Sequence, residues 1–176
     1  MTRLAPLDPP YEPKVEDTLR RLMGAVDAEP LKLFRTIARH DALLERFRQI
    51  GSSMLSFGRL PAHDREVVIH RTTALCGAGY EWGVHATVFA PQAGVDAEAL
   101  WRGELPEGRA GVLARMCDEL HATATISDDL WAQLRAGWPD DQLVELVCLA
   151  GFYHLVSFVC NGFEVEPESW AQKPPA

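Results

Sequence analysis

The chain lacks most of the short motifs that reveal a metal, nucleotide or nucleophile site. It has no H-E-x-x-H helix for zinc and no C-x-x-C pair. Its glycines form no phosphate loop, since no Lys-Ser or Lys-Thr follows them, and no serine occupies a nucleophile elbow. We therefore expect no metal and no bound cofactor.

Basic charge and membrane signals are also scarce. The 17 basic residues face 25 acidic ones, for a net charge of −8, and no basic run stands out. This balance argues against nucleic acid and anionic membranes as partners. We find no apolar run long enough to cross a membrane and no apolar signal-peptide core near the N-terminus. We expect a cytoplasmic protein that acts on a small molecule.

The four cysteines are too far apart to suggest a redox pair. Cys76, Cys117, Cys148 and Cys160 lie mostly in apolar surroundings, which predicts buried, reduced thiols. Cys76 is the exception, because it lies close to the central turn of the chain. A redox role for Cys76 stays open at this stage.

What is present is helical periodicity along most of the chain, with no alternation typical of a strand. We predict an all-α protein with a Pro-rich arm over 1–13, one domain over 14–166 and a polar Pro-rich tail over 167–176. Ser127 and Asp96 are expected to cap helices, and Pro91 to bend or shorten one. The last helix is apolar nearly all round and should be buried. The predicted helices cover 15–26, from 30 onward, 62–76, 80–93, 96–101, 109–124, from 127 onward, and 140–161.

The segment from Glu66 to His85 carries the strongest chemical signal. It holds two helical patterns joined by the turn Gly77-Ala78-Gly79. Glu81 and His85 are four residues apart and therefore share one helical face. Such a pair can be a general acid–base pair, a metal pair or a plain ion pair. Glu66 alone could be a carboxylate favoured by the helix dipole.

This segment resembles the carboxymuconolactone decarboxylase family, which includes the alkylhydroperoxidase D proteins. The shared pattern is a Glu on one helix, then a turn and a second helix that ends in His. The family Glu corresponds to Glu66 and the His to His85. In the peroxidase branch, two redox cysteines precede that His, and Ala78 and Glu81 stand at those positions. The resemblance covers roughly residues 40 to 165; its other matching segments are Tyr80-Glu81-Trp82, Asp118-Glu119-Leu120-His121, Tyr153-His154 and Asn161.

The resemblance implies an alkylhydroperoxidase D-like helical bundle with a central helix-turn-helix. It also implies a homo-oligomer, a trimer or a hexamer, in aromatic compound catabolism. The implied activity is decarboxylation of a small organic acid or lactone without a cofactor. His85 would donate or relay the proton, and Glu66 and Glu81 would orient it. We expect His121 to be structural; the substrate-binding or supporting residues would be Tyr80, Trp82, His154 and Asn161.

Two other functions stay open from the sequence. The first is a peroxidase of the alkylhydroperoxidase D type, which the missing cysteines disfavour. The second is a helical oligomer that binds a small molecule without catalysis. Convergence of Glu66, Glu81 and His85 in one enclosed pocket would favour the enzyme.

Overall fold

The computed structural model describes residues 2–24 and 28–176, and within these it contains ten α-helices and no strand. This confirms the predicted all-α class. The first predicted helix ends at Val26, which lies outside the described residues. The helices are α1 Pro13–Met23, α2 Lys32–Ile37, α3 Asp41–Leu55, α4 Ala62–Leu75, α5 Gly79–Val88, α6 Ala90–Ala93, α7 Ala97–Arg102, α8 Gly108–Thr123, α9 Asp128–Gly137 and α10 Asp140–Gly162.

Helix α4 is the centre of the bundle. It packs against α5, α7, α8 and α10, and its consecutive residues Val67, Val68 and Ile69 are all buried. A helix enclosed on several sides has no solvent face, which explains its weak amphipathic pattern. Gly77 follows α4 with a φ of 60°, a left-handed conformation that glycine adopts without strain. This turn folds α5 directly back onto α4.

The helix predicted over 80–93 is two helices. Helix α5 ends at Val88, and Phe89 caps it with a φ of −111°, wider than the usual helical value. Pro91 lies in the first turn of α6, where its missing N–H costs no hydrogen bond. The expected shortening by Pro91 is therefore confirmed. Gly94 ends α6 in the left-handed conformation.

The two predicted helix caps differ in outcome. Asp96 accepts a hydrogen bond from the Ala99 backbone N–H at 2.9 Å, which confirms it as the cap of α7. Ser127 precedes α9 as predicted but makes no side-chain cap. Its hydroxyl instead donates to Glu119, and its backbone N–H donates to the other oxygen of that carboxylate. The carboxylate competes successfully because a charged acceptor makes the stronger hydrogen bond.

Helix α10 corrects two sequence expectations. Its inner face is buried, but its outer face carries an exposed apolar stripe, so the helix is not enclosed all round. The stripe consists of Val144, Val147, Leu155 and Phe158. The second expectation is that no apolar run is long enough to cross a membrane. An 18-residue window of α10 has a mean hydropathy of 2.0, so this helix is long and apolar enough by length and composition alone. Half of that window is buried, as in the core helix of a globular protein.

The outer stripe of α10 gives the expected homo-oligomer a testable location. We predict that light scattering at micromolar concentration will give a mass larger than that of a monomer. The reason is that self-association would bury the exposed apolar stripe. Phe158→Lys should shift the mass towards the monomer. Phe57→Lys is the matched control, since Phe57 is also exposed but lies off α10. A wild-type monomer would contradict the prediction.

Both ends of the chain pack against its own helices. In the arm, Leu7 and Arg35 exchange two hydrogen bonds through the Leu7 backbone. In the tail, the Gln172 backbone N–H donates to Thr87 on α5 at 2.8 Å. The tail runs so close to α5 that a Cβ atom at Gly83 would lie 2.3 Å from the Gln172 carbonyl oxygen. The tail therefore covers the outside of the helix that carries Glu81 and His85.

Candidate active site

Glu66 on α4 and His85 on α5 form a buried pair. The Nδ1 atom of His85 lies 2.8 Å from Oε2 of Glu66, and both side chains are almost completely buried. The turn after α4 brings the two helices together, and both side chains are removed from bulk solvent. The carboxylate therefore fixes the orientation of the imidazole ring.

The other ring nitrogen of His85 faces two oxygen atoms. Its Nε2 lies 3.0 Å from the hydroxyl of Tyr153 on α10 and 3.4 Å from Oε1 of Glu81. The second oxygen of Glu81, Oε2, is buried and has no hydrogen-bond partner among the described residues. An unpartnered buried carboxylate oxygen is costly, so it marks a place where a bound molecule or water can donate a hydrogen bond.

These three side chains lie at the wall of a cavity of about 500 Å³. His85, Glu81 and Tyr153 bring polar groups together at one place on the wall, whereas Glu66 lies behind His85 and does not line the cavity. The other polar lining residues are Arg21, Glu29, Arg48, Ser52 and Ser56. A mainly apolar cavity with a few convergent polar groups is typical of a small-molecule site. Much of the remaining wall is apolar and includes Leu22, Leu31, Phe34, Phe47, Val84, Val88, Phe89, Phe152, Val156 and Trp170.

The two arginines that line the cavity are already paired. Arg48 makes two hydrogen bonds to Glu45, at 2.7 and 3.1 Å. Arg21 makes ion pairs with Asp17 and with Glu45. Among the described residues that line the cavity, neither arginine is therefore unpaired and open to an anionic ligand, and His85, when protonated, is the cation at the polar wall.

The charge state of His85 is set by its two carboxylates. Burial alone would lower the pKa of His85, but the charge and hydrogen bond of Glu66, with a smaller contribution from Glu81, raise the pKa to about 9. Burial is the largest single influence on Glu66 and acts to raise its pKa, but the charge and hydrogen bond of His85, with smaller contributions from His70 and Arg65, together hold that pKa below its usual value. At neutral pH the pair is therefore an imidazolium and a carboxylate.

His70 lies beside this pair in the opposite charge state. It is fully buried, and neither ring nitrogen has a hydrogen-bond partner among the described residues. Burial and the nearby His85 charge lower the pKa of His70 to about 3, although Glu66 acts in the other direction. Its Nε2 is 3.8 Å from Glu66, too long for a hydrogen bond. His70 is therefore a neutral side chain packed beside the Glu66–His85 pair.

These two histidines predict a stability maximum near pH 6.5. The raised pKa of His85 stabilises the fold fully below pH 6.5, and that contribution is lost as the pH rises through about 9. The lowered pKa of His70 destabilises the fold increasingly as the pH falls below 6.5. Urea unfolding between pH 5 and 9.5 measures the free energy of unfolding as a function of pH. His70→Phe should reduce the loss of stability below pH 6.5. An unchanged loss in that variant would mean that His70 does not cause it.

Tyr80 and Trp82, predicted as substrate-binding or supporting residues, do not line the cavity. The Tyr80 hydroxyl donates to Glu168 of the tail at 2.6 Å and accepts from the Leu33 backbone N–H. Trp82 is fully buried, and its indole N–H donates to the Ala97 carbonyl. Both side chains make their contacts elsewhere in the bundle and the tail, so they support α5 and do not line the pocket.

His154 and Asn161, predicted as substrate-binding or supporting residues, also do not line the cavity. Residues 153 and 154 point about 100° apart on a helix, so the inward Tyr153 forces His154 towards α8. There His154 contacts His121 at 3.0 Å, and Asn161 donates to the Cys76 carbonyl at 2.8 Å. The two residues do share a helical face, as their spacing predicts.

Tyr153 and His70 also belong to the site, and neither is predicted as a site residue from the sequence. A helix that is apolar nearly all round gives no sign of which face points inward or of which polar residue meets a histidine on another helix. Burial raises the pKa of the Tyr153 hydroxyl well above its usual value, so it stays protonated. Tyr153 can therefore donate a hydrogen bond to a ligand or accept one from His85.

Comparison with known proteins identifies the fold. No family model and no curated protein sequence matches the chain. An uncharacterized peroxidase-related protein from Silicibacter sp. TM1040 superposes with a TM-score of 0.78 at 17% identity, over 94% of this chain and 93% of that one. A second, from Ralstonia eutropha JMP134 and described as an alkylhydroperoxidase AhpD core, gives 0.79 at 14% identity over 94% and 93%. The chain therefore has the alkylhydroperoxidase D-like fold.

The debrominase Bmp8 shares this fold. Its complex with 2,3,4-tribromopyrrole, solved with a cysteine replaced by alanine, gives a TM-score of 0.73 at 14% identity. The match covers 96% of this chain and 93% of that one. The fold thus accommodates proteins described by different activities, so the reaction must be argued from the site.

Proposed function

We propose that this protein is an acid–base enzyme that protonates carbon after decarboxylation of a small organic acid or lactone. The observation that carries the proposal is the hydrogen-bonded chain from Glu66 through His85 to an apolar cavity. A buried imidazolium held by a carboxylate is a positioned proton donor. The chemistry requires no bound cofactor, because the donor and the charged groups all belong to the chain.

The reaction needs one proton and stabilisation of one transient negative charge. The bond between the substrate carbon and its carboxylate breaks, carbon dioxide leaves, and the electron pair forms an enolate. The Nε2–H of His85 then delivers its proton to the carbon, and solvent reprotonates His85. The imidazolium and the Tyr153 hydroxyl stabilise the enolate oxygen. Glu66 keeps its charge throughout and holds the ring in place.

The cavity favours a small and largely apolar substrate. Its volume of about 500 Å³ and its aromatic wall suit a compact, flat molecule. The tribromopyrrole bound by the debrominase is such a molecule, although the low identity transfers only the fold. The Glu81 oxygen without a partner would accept a hydrogen bond from a substrate hydroxyl or N–H group.

A panel of small carboxylic acids and lactones in D₂O tests the proposal. Wild-type protein should release carbon dioxide from a member of the panel and leave one deuterium on the carbon that lost it. His63→Gln, a change at an exposed histidine, should behave like the wild type. Carbon dioxide release that survives unchanged in His85→Gln would refute the assigned role of His85.

A thiol peroxidase is the second candidate, since two of the structural neighbours are described as peroxidase-related. That chemistry needs a thiolate and a resolving thiol. No cysteine lines the described cavity, and Glu81 stands where the resemblance places a redox cysteine. Burial also raises the pKa of Cys76, which disfavours its thiolate.

We predict no appreciable hydroperoxide turnover with dithiol reductants. The measurement is peroxide consumption at neutral pH with dithiothreitol, against a Cys76→Ser variant. Both proteins should match the uncatalysed rate. Robust turnover by the wild type that disappears in Cys76→Ser would show that Cys76 is a peroxidatic thiol and would favour the second candidate.

A further inference from the structure

A second cluster of ligating side chains lies outside the cavity. Cys76 follows α4, His121 belongs to α8 and His154 to α10, and their ligand atoms all lie within 4.8 Å of one another. The Cys76 sulfur is 4.0 Å from Nδ1 of His121, which is 3.0 Å from Nε2 of His154. We propose that these three residues bind a divalent transition metal ion of the zinc type.

The distances are near those of tetrahedral coordination. Zinc bonds of about 2.3 Å to sulfur and about 2.05 Å to nitrogen place neighbouring donor atoms about 3.6 Å (S to N) and about 3.3 Å (N to N) apart. The observed S to N separation of 4.0 Å is somewhat longer and the N to N separation of 3.0 Å somewhat shorter, and the remaining pair lies within 4.8 Å. Small side-chain rotations therefore suffice, and no helix has to move.

The neighbours of the cluster prepare its donor atoms. His154 Nδ1 lies 2.8 Å from the Ala150 carbonyl oxygen, so that nitrogen carries the proton and Nε2 presents its lone pair to His121. Asn161 donates to the Cys76 carbonyl at 2.8 Å and fixes the backbone that carries the thiol. Supporting hydrogen bonds of this kind are typical of metal-ligand residues.

The ligand set selects the class of metal. One thiolate and two imidazoles suit zinc, cobalt or copper and are poor ligands for magnesium or calcium. His121 is exposed and the other two residues are partly buried, so the fourth position faces solvent and would hold water. The bound ion would tie the end of α4 to α8 and α10, next to the turn that orients α5.

Metal binding must also balance its protons. Without metal, Nδ1–H of His121 donates to Nε2 of His154. On binding, that proton moves to Nε2 of His121, and the Cys76 thiol releases its proton to solvent. The expected stoichiometry is therefore about one proton released for each ion bound near neutral pH.

Calorimetric titration of the untagged full-length protein with Zn²⁺ tests the site, with Co²⁺ as the spectroscopic probe. The wild type should bind one ion, release about one proton and show a thiolate-to-cobalt charge-transfer band. Cys76→Ser should abolish that band, and His154→Gln should weaken Zn²⁺ binding by about a hundredfold or more. Circular dichroism confirms that each variant is folded.

Two matched controls make the result decisive. Cys148→Ser removes an exposed cysteine outside the cluster, and His63→Gln removes an exposed histidine. Both should bind Zn²⁺ and Co²⁺ as the wild type does. The proposal is overturned if the wild type binds no ion, if the cobalt band survives Cys76→Ser, or if the controls lose binding equally.

Discussion

Replacing His85 by glutamine should lower kcat by about a hundredfold or more, because glutamine can hydrogen-bond but cannot transfer a proton. Glutamine approximates the size of the imidazole and can still donate to Glu66 and accept from Tyr153. The variant should therefore fold, and KM should change much less than kcat. Steady-state kinetics on the substrate found in the acid and lactone panel measure both constants.

The control for this variant is His63→Gln, which makes the same chemical change at an exposed position. It should retain wild-type kcat and stability. If His85→Gln keeps full turnover, then His85 is not the proton donor, and the Glu66–His85 pair is structural. A loss of activity that merely follows a loss of folded protein would be exposed by unfolding experiments on the same samples.

Replacing Glu66 by glutamine should shift the pH dependence of the proposed reaction more than any other single change. It removes the charge that raises the pKa of His85 to about 9, so the imidazolium loses its main stabilisation. If the pKa falls to 6.5 or below, the acid form drops about tenfold at pH 7.5 from population alone. Activity should partly recover as the pH is lowered, which a pH–rate profile measures.

The same variant should lose stability on the order of 3 kcal/mol at pH 7, because the folded-state pKa of His85 no longer exceeds its unfolded value. The loss should vanish above about pH 9, where His85 is neutral in both states. Glu107→Gln, at an exposed glutamate, is the control. Equal destabilisation at pH 7 and pH 9.5 would mean that Glu66 acts through packing and not through the His85 charge.

Local signals predicted the central hairpin well. Periodicity defined α4, the glycine turn ended it, and Pro91 marked the end of α5. Each of these features depends on neighbouring residues only, so the sequence contains the needed information. The convergence of Glu66, Glu81 and His85 followed from the same local geometry, since a short turn brings two adjacent helices face to face.

Features that depend on distant packing were not predictable. The exposed stripe of α10 could not be separated from its buried face, because both are apolar. Tyr153 and His154 are adjacent in sequence, yet one meets His85 and the other meets His121. Their roles depend on which way α10 is rotated against α4 and α8. The Cys76, His121 and His154 cluster has no sequence motif for the same reason.

The most direct test of the account is an NMR titration of His85. Wild-type protein labelled with ¹⁵N in its histidine rings should show one buried imidazole that titrates with a pKa of about 9 and carries protons on both nitrogens at pH 7. The signal is assigned by its absence in His85→Gln and should move to lower pKa in Glu66→Gln. A wild-type His85 that is neutral at pH 7 would contradict the proposed proton donor.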